Sequence, residues 1–195
     1  MTKLVWKNNK LFLIKETEIK FENGVLNISC MDLTELPDLP ENLQELHCYQ
    51  NKLTELPELP ENLQILNCHY NKLTELPELP DTLKKLNCTS NKLIELPELP
   101  DTLRELSCDL NQLTDLPYLP DTLQELHCNN NQLTELSELP NLHSLYFSNN
   151  KLIELPDLPD TLQHLGCGNN QLTELPDLPD TLQKLHCYQN KLTEL

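Results

Sequence analysis

Alanine is absent from this sequence, arginine occurs once, at Arg104, and there are only three glycines. Three scattered glycines cannot build a glycine-rich loop that cradles a phosphate. Aromatic residues are 5% of the chain, which leaves too few large rings to form the centre of a conventional core. Long apolar runs are missing too. Near the start the longest is Leu11-Phe12-Leu13-Ile14, far too short for a membrane span or for the apolar part of a signal peptide. Basic residues are scarce, with 14 Lys and Arg against 31 Asp and Glu for a net charge of −17. Nucleic acids and anionic membranes select basic patches, so neither is expected as a partner. A protein partner is expected, and a basic one suits the overall charge.

What the chain does have is a period. Leu43-x-x-Leu46-x-Cys48-x-x-Asn51-x-Leu53-x-x-Leu56-Pro57-x-Leu59-Pro60 returns after twenty residues at Leu63, Leu66, Cys68, Asn71 and Leu73, and continues to the end of the chain. A fixed period of this length is the signature of a solenoid. Five leucines and a cysteine contribute ~10 kcal/mol of transfer free energy per copy, whereas ordering twenty residues costs roughly 20–40 kcal/mol. One copy cannot fold alone, so the copies must stack and bury each other's faces. Nine can be counted between residues 25 and 195, the first and last incomplete.

Each repeat divides into two halves. Around Leu46-His47-Cys48 the alternation of apolar and polar residues predicts a short strand, and the strands stack in parallel on the inside of a curve. On the return side Pro57-x-Leu59-Pro60 fixes φ twice and removes two donors, which predicts an extended, polyproline-like back with little helix. Asn51 and its equivalents stand where the chain leaves the sheet, where a side chain with both donors and acceptors can satisfy turn amides and carbonyls.

Eight cysteines invite a disulfide or metal reading. Cys48, Cys68, Cys88, Cys108 and Cys128 fall one repeat apart, Cys167 and Cys187 resume the series, and Phe147 takes the missing rung. Neighbouring parallel strands lie ~4.8 Å apart, too far for an unstrained disulfide between Cβ atoms, which needs about 3.8 Å. These cysteines read as a ladder of small core hydrophobes, and free thiols favour a reducing, cytoplasmic compartment. Cys30 is expected to sit on the same ladder at the first strand.

The first 24 residues read differently. Residues 4–6 and 11–14 are apolar runs separated by Lys7-Asn8-Asn9-Lys10, and Ile19 alternates with Phe21 before the turn signal Asn23-Gly24. That pattern predicts a cap, residues 1–24, of β-hairpins whose last strand covers the edge of the first repeat.

The twenty-residue unit with Leu-Pro-x-Leu-Pro on its back resembles the bacterial effector class of leucine-rich repeats, as in the YopM and IpaH proteins, and is similar to repeats in large DNA viruses of amoebae. The resemblance covers residues 25–195. It implies a leucine-rich repeat solenoid with no cofactor, acting as a scaffold that holds host proteins. An effector would act in the cytoplasm of its host. Members of the IpaH class add a ubiquitin-ligase domain with a Cys-x-Asp motif; Cys30-Met31-Asp32 matches the letters only, and the helical pair that precedes the repeats of that class has no counterpart in residues 1–24.

Function is expected where the repeat varies. On the concave face these positions flank the buried Leu and Cys: His47 and Tyr49, Asn67 and His69, His127, Tyr146, Gly166 and Gly168, and His186 and Tyr188. Ring-bearing side chains gather toward the two ends, and aromatic residues contribute disproportionately to interfaces. Gly166 and Gly168 are expected to leave a notch between Tyr146 on one side and His186 and Tyr188 on the other. The pairs His47/His69 and His164/His186 lack a third ligand, so no metal site is expected. Carboxylates lie in open repeated rows without a desolvated pocket, so an enzyme is not expected. The uncovered edge of the strand around Leu182–Cys187 predicts a homodimer through that end, and the alternative reading of the chain is a self-associating structural repeat protein.

Overall fold

A computed structural model describes residues 21–193 in full and the backbone of residues 4–7, 10–13 and 18–19. The connection at Asn8-Asn9, the end of the apolar run at Ile14, and Glu194 and Leu195 lie outside the described residues.

Every repeat contributes three residues of strand, enough to place one leucine inward between two outward-facing side chains. The strands are β4 (Phe21–Glu22), β5 (Val25–Asn27), β6 (Glu45–His47), β7 (Ile65–Asn67), β8 (Lys85–Asn87), β9 (Glu105–Ser107), β10 (Glu125–His127), β11 (Ser144–Tyr146), β12 (His164–Gly166) and β13 (Lys184–His186). They form one ten-stranded sheet in chain order. From β5 to β13 all pairs are parallel with the central leucines in register, Leu26 to Leu46, Leu46 to Leu66 and so on to Leu185. The exception is β4, which runs antiparallel to β5 through a turn at Asn23 (φ 55°) and Gly24 (φ 75°). Both positive dihedrals suit a tight hairpin, and a residue with a short amide chain or no Cβ adopts them with little penalty. Before it, β1 (Leu4–Lys7), β2 (Lys10–Leu13) and β3 (Glu18–Ile19) form a separate antiparallel sheet. No helix occurs among the described residues.

The core is a set of single-residue columns. Leu43, Leu46, Cys48 and Leu53 are fully buried, and their equivalents remain so through Leu162, Leu165, Cys167 and Leu172. All eight cysteines are free. Burial pushes the thiols of Cys48 and Cys167 up to about 12, and drives those of Cys68, Cys88, Cys108 and Cys128 upward as well. The thiol of Cys108 donates weakly to the carbonyl of His127 on the next strand, at 3.4 Å.

Cys30 is not part of this column. Ile28 occupies the first rung, buried, while Cys30 is exposed two residues later with φ at 59°. Twenty residues before Cys48 is position 28, so the period itself places Ile28 there. The left-handed position recurs at Gln50, Tyr70, Ser90, Leu110, Asn130, Asn149, Asn169 and Gln189, immediately before each ladder asparagine.

That asparagine ties turns together. Asn51 Nδ2 donates to the carbonyls of Ile28 and Cys48, both at 2.9 Å, and its Oδ1 accepts from the amides of Met31 and Leu33 at 3.0 Å. One side chain therefore bridges two consecutive repeats and satisfies four backbone groups at the corner. A second ladder lies on the way into the strands. Thr102 Oγ1 sits 2.6 Å from the carbonyl oxygen of Asp81 and 2.8 Å from that of Leu83, and Thr82, Thr122 and Thr181 repeat the pattern. The return segments, such as 54–60, are neither helix nor strand.

Between Pro140 and Leu142 one residue is missing relative to the other repeats. The turn absorbs the loss. Leu142 bonds the carbonyl of Pro140, two residues back, where Leu123 bonds that of Pro120, three back. The ladder passes through without a slip, Leu126 pairing with Leu145, and Phe147 is buried on the cysteine column.

Candidate functional site

Alternation along each strand turns three side chains per repeat toward the concave face. Position 47 and its equivalents run His47, Asn67, Asn87, Ser107, His127, Tyr146, Gly166 and His186 across the sheet. Position 49 gives Tyr49, His69, Thr89, Asp109, Asn129, Ser148, Gly168 and Tyr188, and position 45 gives Glu45, Ile65, Lys85, Glu105, Glu125, Ser144, His164 and Lys184. Of this last row only His164 stood out in the sequence, although the same alternation points to all of it.

The rings form two groups. At the N-terminal end the rings of Tyr49 and His69 stack with centroids 4.5 Å apart and 8° between planes, and Tyr70 meets His69 edge-on at 5.3 Å. Asn67 Oδ1 accepts from His69 Nδ1, which fixes the proton there and leaves Nε2 as an outward acceptor. Desolvation under its neighbours holds His69 below the ordinary histidine value of 6.5. His47 is half-buried beside Glu45, with Nε2 3.4 Å from Oε2. At the C-terminal end His127 packs against Tyr146, centroids 4.9 Å apart and planes tilted by 43°. Nε2 of His127 lies 4.0 Å from Glu125. Roughly four strand spacings of ~4.8 Å, about 19 Å, separate His69 from Tyr146.

The expected notch is not open. A Cβ on Gly166 would lie 2.5 Å from Cδ1 of Tyr146, and one on Gly168 would lie 2.7 Å from Cζ of Tyr188. The two rings lie over the glycines, which are buried, and occupy the space that a partner was expected to enter. Apolar ring faces gain dispersion contacts by settling onto bare backbone, so the neighbouring tyrosines fill the gap that the glycines leave. His186 is exposed next to them.

Between the two groups the middle of the face is polar and occupied with its own backbone. Asp109 Oδ1 accepts from both nitrogens of Asn129, at 2.6 and 2.9 Å. Asn129 Oδ1 accepts from the amide of Ser148 at 2.7 Å, and Ser148 Oγ from the amide of Gly168 at 3.1 Å. Lys85 is paired with Glu105 at 2.6 Å. No group of three or more metal-ligating residues occurs among the described residues. His69 stacks on Tyr49, and His164 faces Ser144 at 3.4 Å, so neither histidine pair of the sequence reading is gathered into a metal site.

The fold, the twenty-residue turn and the asparagine corner define a class, the leucine-rich repeat proteins. The family model for leucine-rich repeats in two copies matches residues 41–81 and 121–160. The leucine-rich repeat domain of a Shigella effector is 34% identical, covering 88% of this chain and 71% of that one, with a TM-score of 0.66. The chain belongs to the leucine-rich repeat family. YopM from Yersinia enterocolitica WA-314 is 43% identical over 83% of this chain, with a TM-score of 0.82. The functional domain of InlJ from Listeria monocytogenes, which includes a cysteine ladder, is 32% identical over 88% of this chain with a TM-score of 0.74. This chain spans 36% of that YopM chain and 41% of that InlJ chain. A comparison with curated protein sequences found no match. No helix among the described residues is long and apolar enough to cross a membrane.

Proposed function

We propose that this chain is a non-catalytic protein-binding scaffold that holds its partner on the concave face, with host proteins as the targets. The observation that carries the reading is the contrast between two sets of positions. Inward columns repeat Leu, Leu, Cys and Asn with little change, whereas the outward rows change at nearly every strand and concentrate Tyr49, His69, Tyr146 and Tyr188. Core packing demands the first pattern and does not demand that rings gather in the second. Tyr49 and Tyr146 are held by the rings of His69 and His127, and Tyr188 lies over Gly168; such residues bring large contact area at small conformational cost, as interface anchors do. The contact residues proposed are His47, Tyr49, Asn67, His69, His127, Tyr146, His186 and Tyr188, with Gly166 and Gly168 beneath two of the rings. Six fully buried free thiols suit a reducing cytoplasm, of the producing cell or of the host.

Affinity capture from host-cell lysate tests it, comparing the intact chain with a Tyr49→Ala, Tyr146→Ala, Tyr188→Ala variant of unchanged circular dichroism. A protein held by the first and lost by the second supports the reading. Capture of nothing, or equal capture by both, refutes it.

A further inference from the structure

The negative charge of this protein is not on its concave face. Across the three outward rows of β6 to β13 there are four carboxylates, Glu45, Glu105, Glu125 and Asp109, and two lysines, Lys85 and Lys184, a net of −2 against −17 for the chain. Each of the four has a neighbour on the face, Glu105 in Lys85, Asp109 in Asn129, Glu45 in His47 at 3.4 Å and Glu125 in His127 at 4.0 Å. The acidity is carried by the sides and the back, where Glu55, Glu75, Glu95 and their equivalents are exposed.

Resting on the concave-face reading above, we infer that the partner presents an uncharged polar and aromatic segment, and that Gly166 and Gly168 are positioning residues that seat Tyr146 and Tyr188 for it. A basic partner, which the overall charge favours, would find its complement on the back and not in the groove. On the concave face the attractive groups are ring surfaces at either end and amides and hydroxyls between them, which match a neutral chain. The ~19 Å between His69 and Tyr146 corresponds to about six residues of extended polypeptide. The glycines act through the rings. With a Cβ at 2.5 Å from Tyr146 or 2.7 Å from Tyr188, the ring must lift from the sheet and lose its fixed orientation. Anchors that are already in place spare the ordering that binding would otherwise require.

Selection of a displayed library of random twelve-residue peptides against the full chain decides this. The expected binders carry aromatic residues without excess Lys or Arg, and their affinity falls less than ~3-fold between 0.15 and 0.5 M NaCl, since screening acts on charge pairs and not on ring contacts. Tyr146→Ala should weaken them more than ~10-fold. Gly166→Ala should weaken them several-fold while leaving the melting temperature nearly unchanged, and the double variant should be no weaker than Tyr146→Ala alone, the non-additivity expected of a residue that acts through another. Lys- and Arg-rich binders whose affinity collapses in salt overturn the neutral-partner inference, as does a selection without binders. Additive losses overturn the role of Gly166. If the selected peptides ignore Tyr49, Tyr146 and Tyr188 altogether, it is the concave-face reading itself that fails.

Discussion

Asn111 Nδ2 donates to the carbonyl of Cys88, 23 residues back along the chain, at 3.1 Å. The same nitrogen reaches the carbonyl of Cys108 at 3.1 Å, and Oδ1 accepts from the amide of Leu93 at 3.1 Å. A corner that in an isolated peptide would be hydrated is closed here by one side chain shared between two repeats.

Asn111→Ala should therefore destabilise the protein by about 2–4 kcal/mol, because several buried backbone groups lose their partner at once and each costs ~1–3 kcal/mol when left unpaired. Urea unfolding followed by circular dichroism measures it. A change below ~0.5 kcal/mol would show that water replaces the side chain at this corner.

Stability should fall steeply in alkali. The six buried ladder thiols ionise well above their ordinary value of 9.0, two of them at about 12. In the unfolded chain they lose their protons near pH 9. The unfolded state thus binds fewer protons above that pH, and stability that is fully present below pH 9 is lost as the pH rises toward 12. Each of the six thiols draws the equilibrium toward the unfolded chain as the pH rises above 9, and their effects act in the same direction. A cooperative loss of the strand signal between about pH 9 and pH 11 is expected, and an unchanged spectrum at pH 11 would contradict the buried ladder.

Accessibility of the thiols gives a separate measurement. Cys30 is exposed and Cys187 partly so, while Cys48, Cys68, Cys88, Cys108, Cys128 and Cys167 are fully buried. With an aromatic disulfide reagent near neutral pH, Cys30 should react at once, Cys187 more slowly, and the other six only after unfolding. Rapid native reaction of all eight is the result that cannot be reconciled with this core.

Leu110 holds φ at 54° with its side chain half-exposed. A γ-branched side chain in the left-handed region is strained by ~1–2 kcal/mol, and asparagine relieves much of this by bonding locally. Leu110→Asn is expected to stabilise by about 0.5–1 kcal/mol and to raise the melting temperature by ~1–4 °C. A drop on calorimetry would mean that the exposed leucine makes contacts worth more than the strain.

The rows of Leu, Cys and Asn were legible because a strict period carries its own register. A residue that returns every twenty positions must meet its own copy on the next turn, so Leu46 over Leu66 and Asn51 beside Met31 follow from counting. The threonine ladder at Thr82, Thr102, Thr122 and Thr181 followed the same count and was overlooked, since threonine after Pro-Asp also suits an exposed turn. Cys30 was misplaced for want of the same count, its cysteine identity outweighing a two-residue offset.

The concave surface could not be obtained this way. Its contacts join unlike residues, Tyr49 with His69, Tyr146 with Gly166, Asp109 with Asn129, and rotamers there depend on what the neighbouring strand leaves open. From the sequence two glycines read as a notch, and only the packed structure decided that the adjacent tyrosines fill it. The acidic rows of the back, Glu55, Glu75 and Glu95, could be counted from the period, but not the pairing of Glu105 with Lys85 or of Asp109 with Asn129 on the concave face. Periodicity alone determined the solenoid, its parallel sheet and its thiol and asparagine columns, because burial acts identically on every copy. Tertiary structure alone decided the shape and the internal pairing of the face where binding is proposed, because there each side chain settles against a different neighbour.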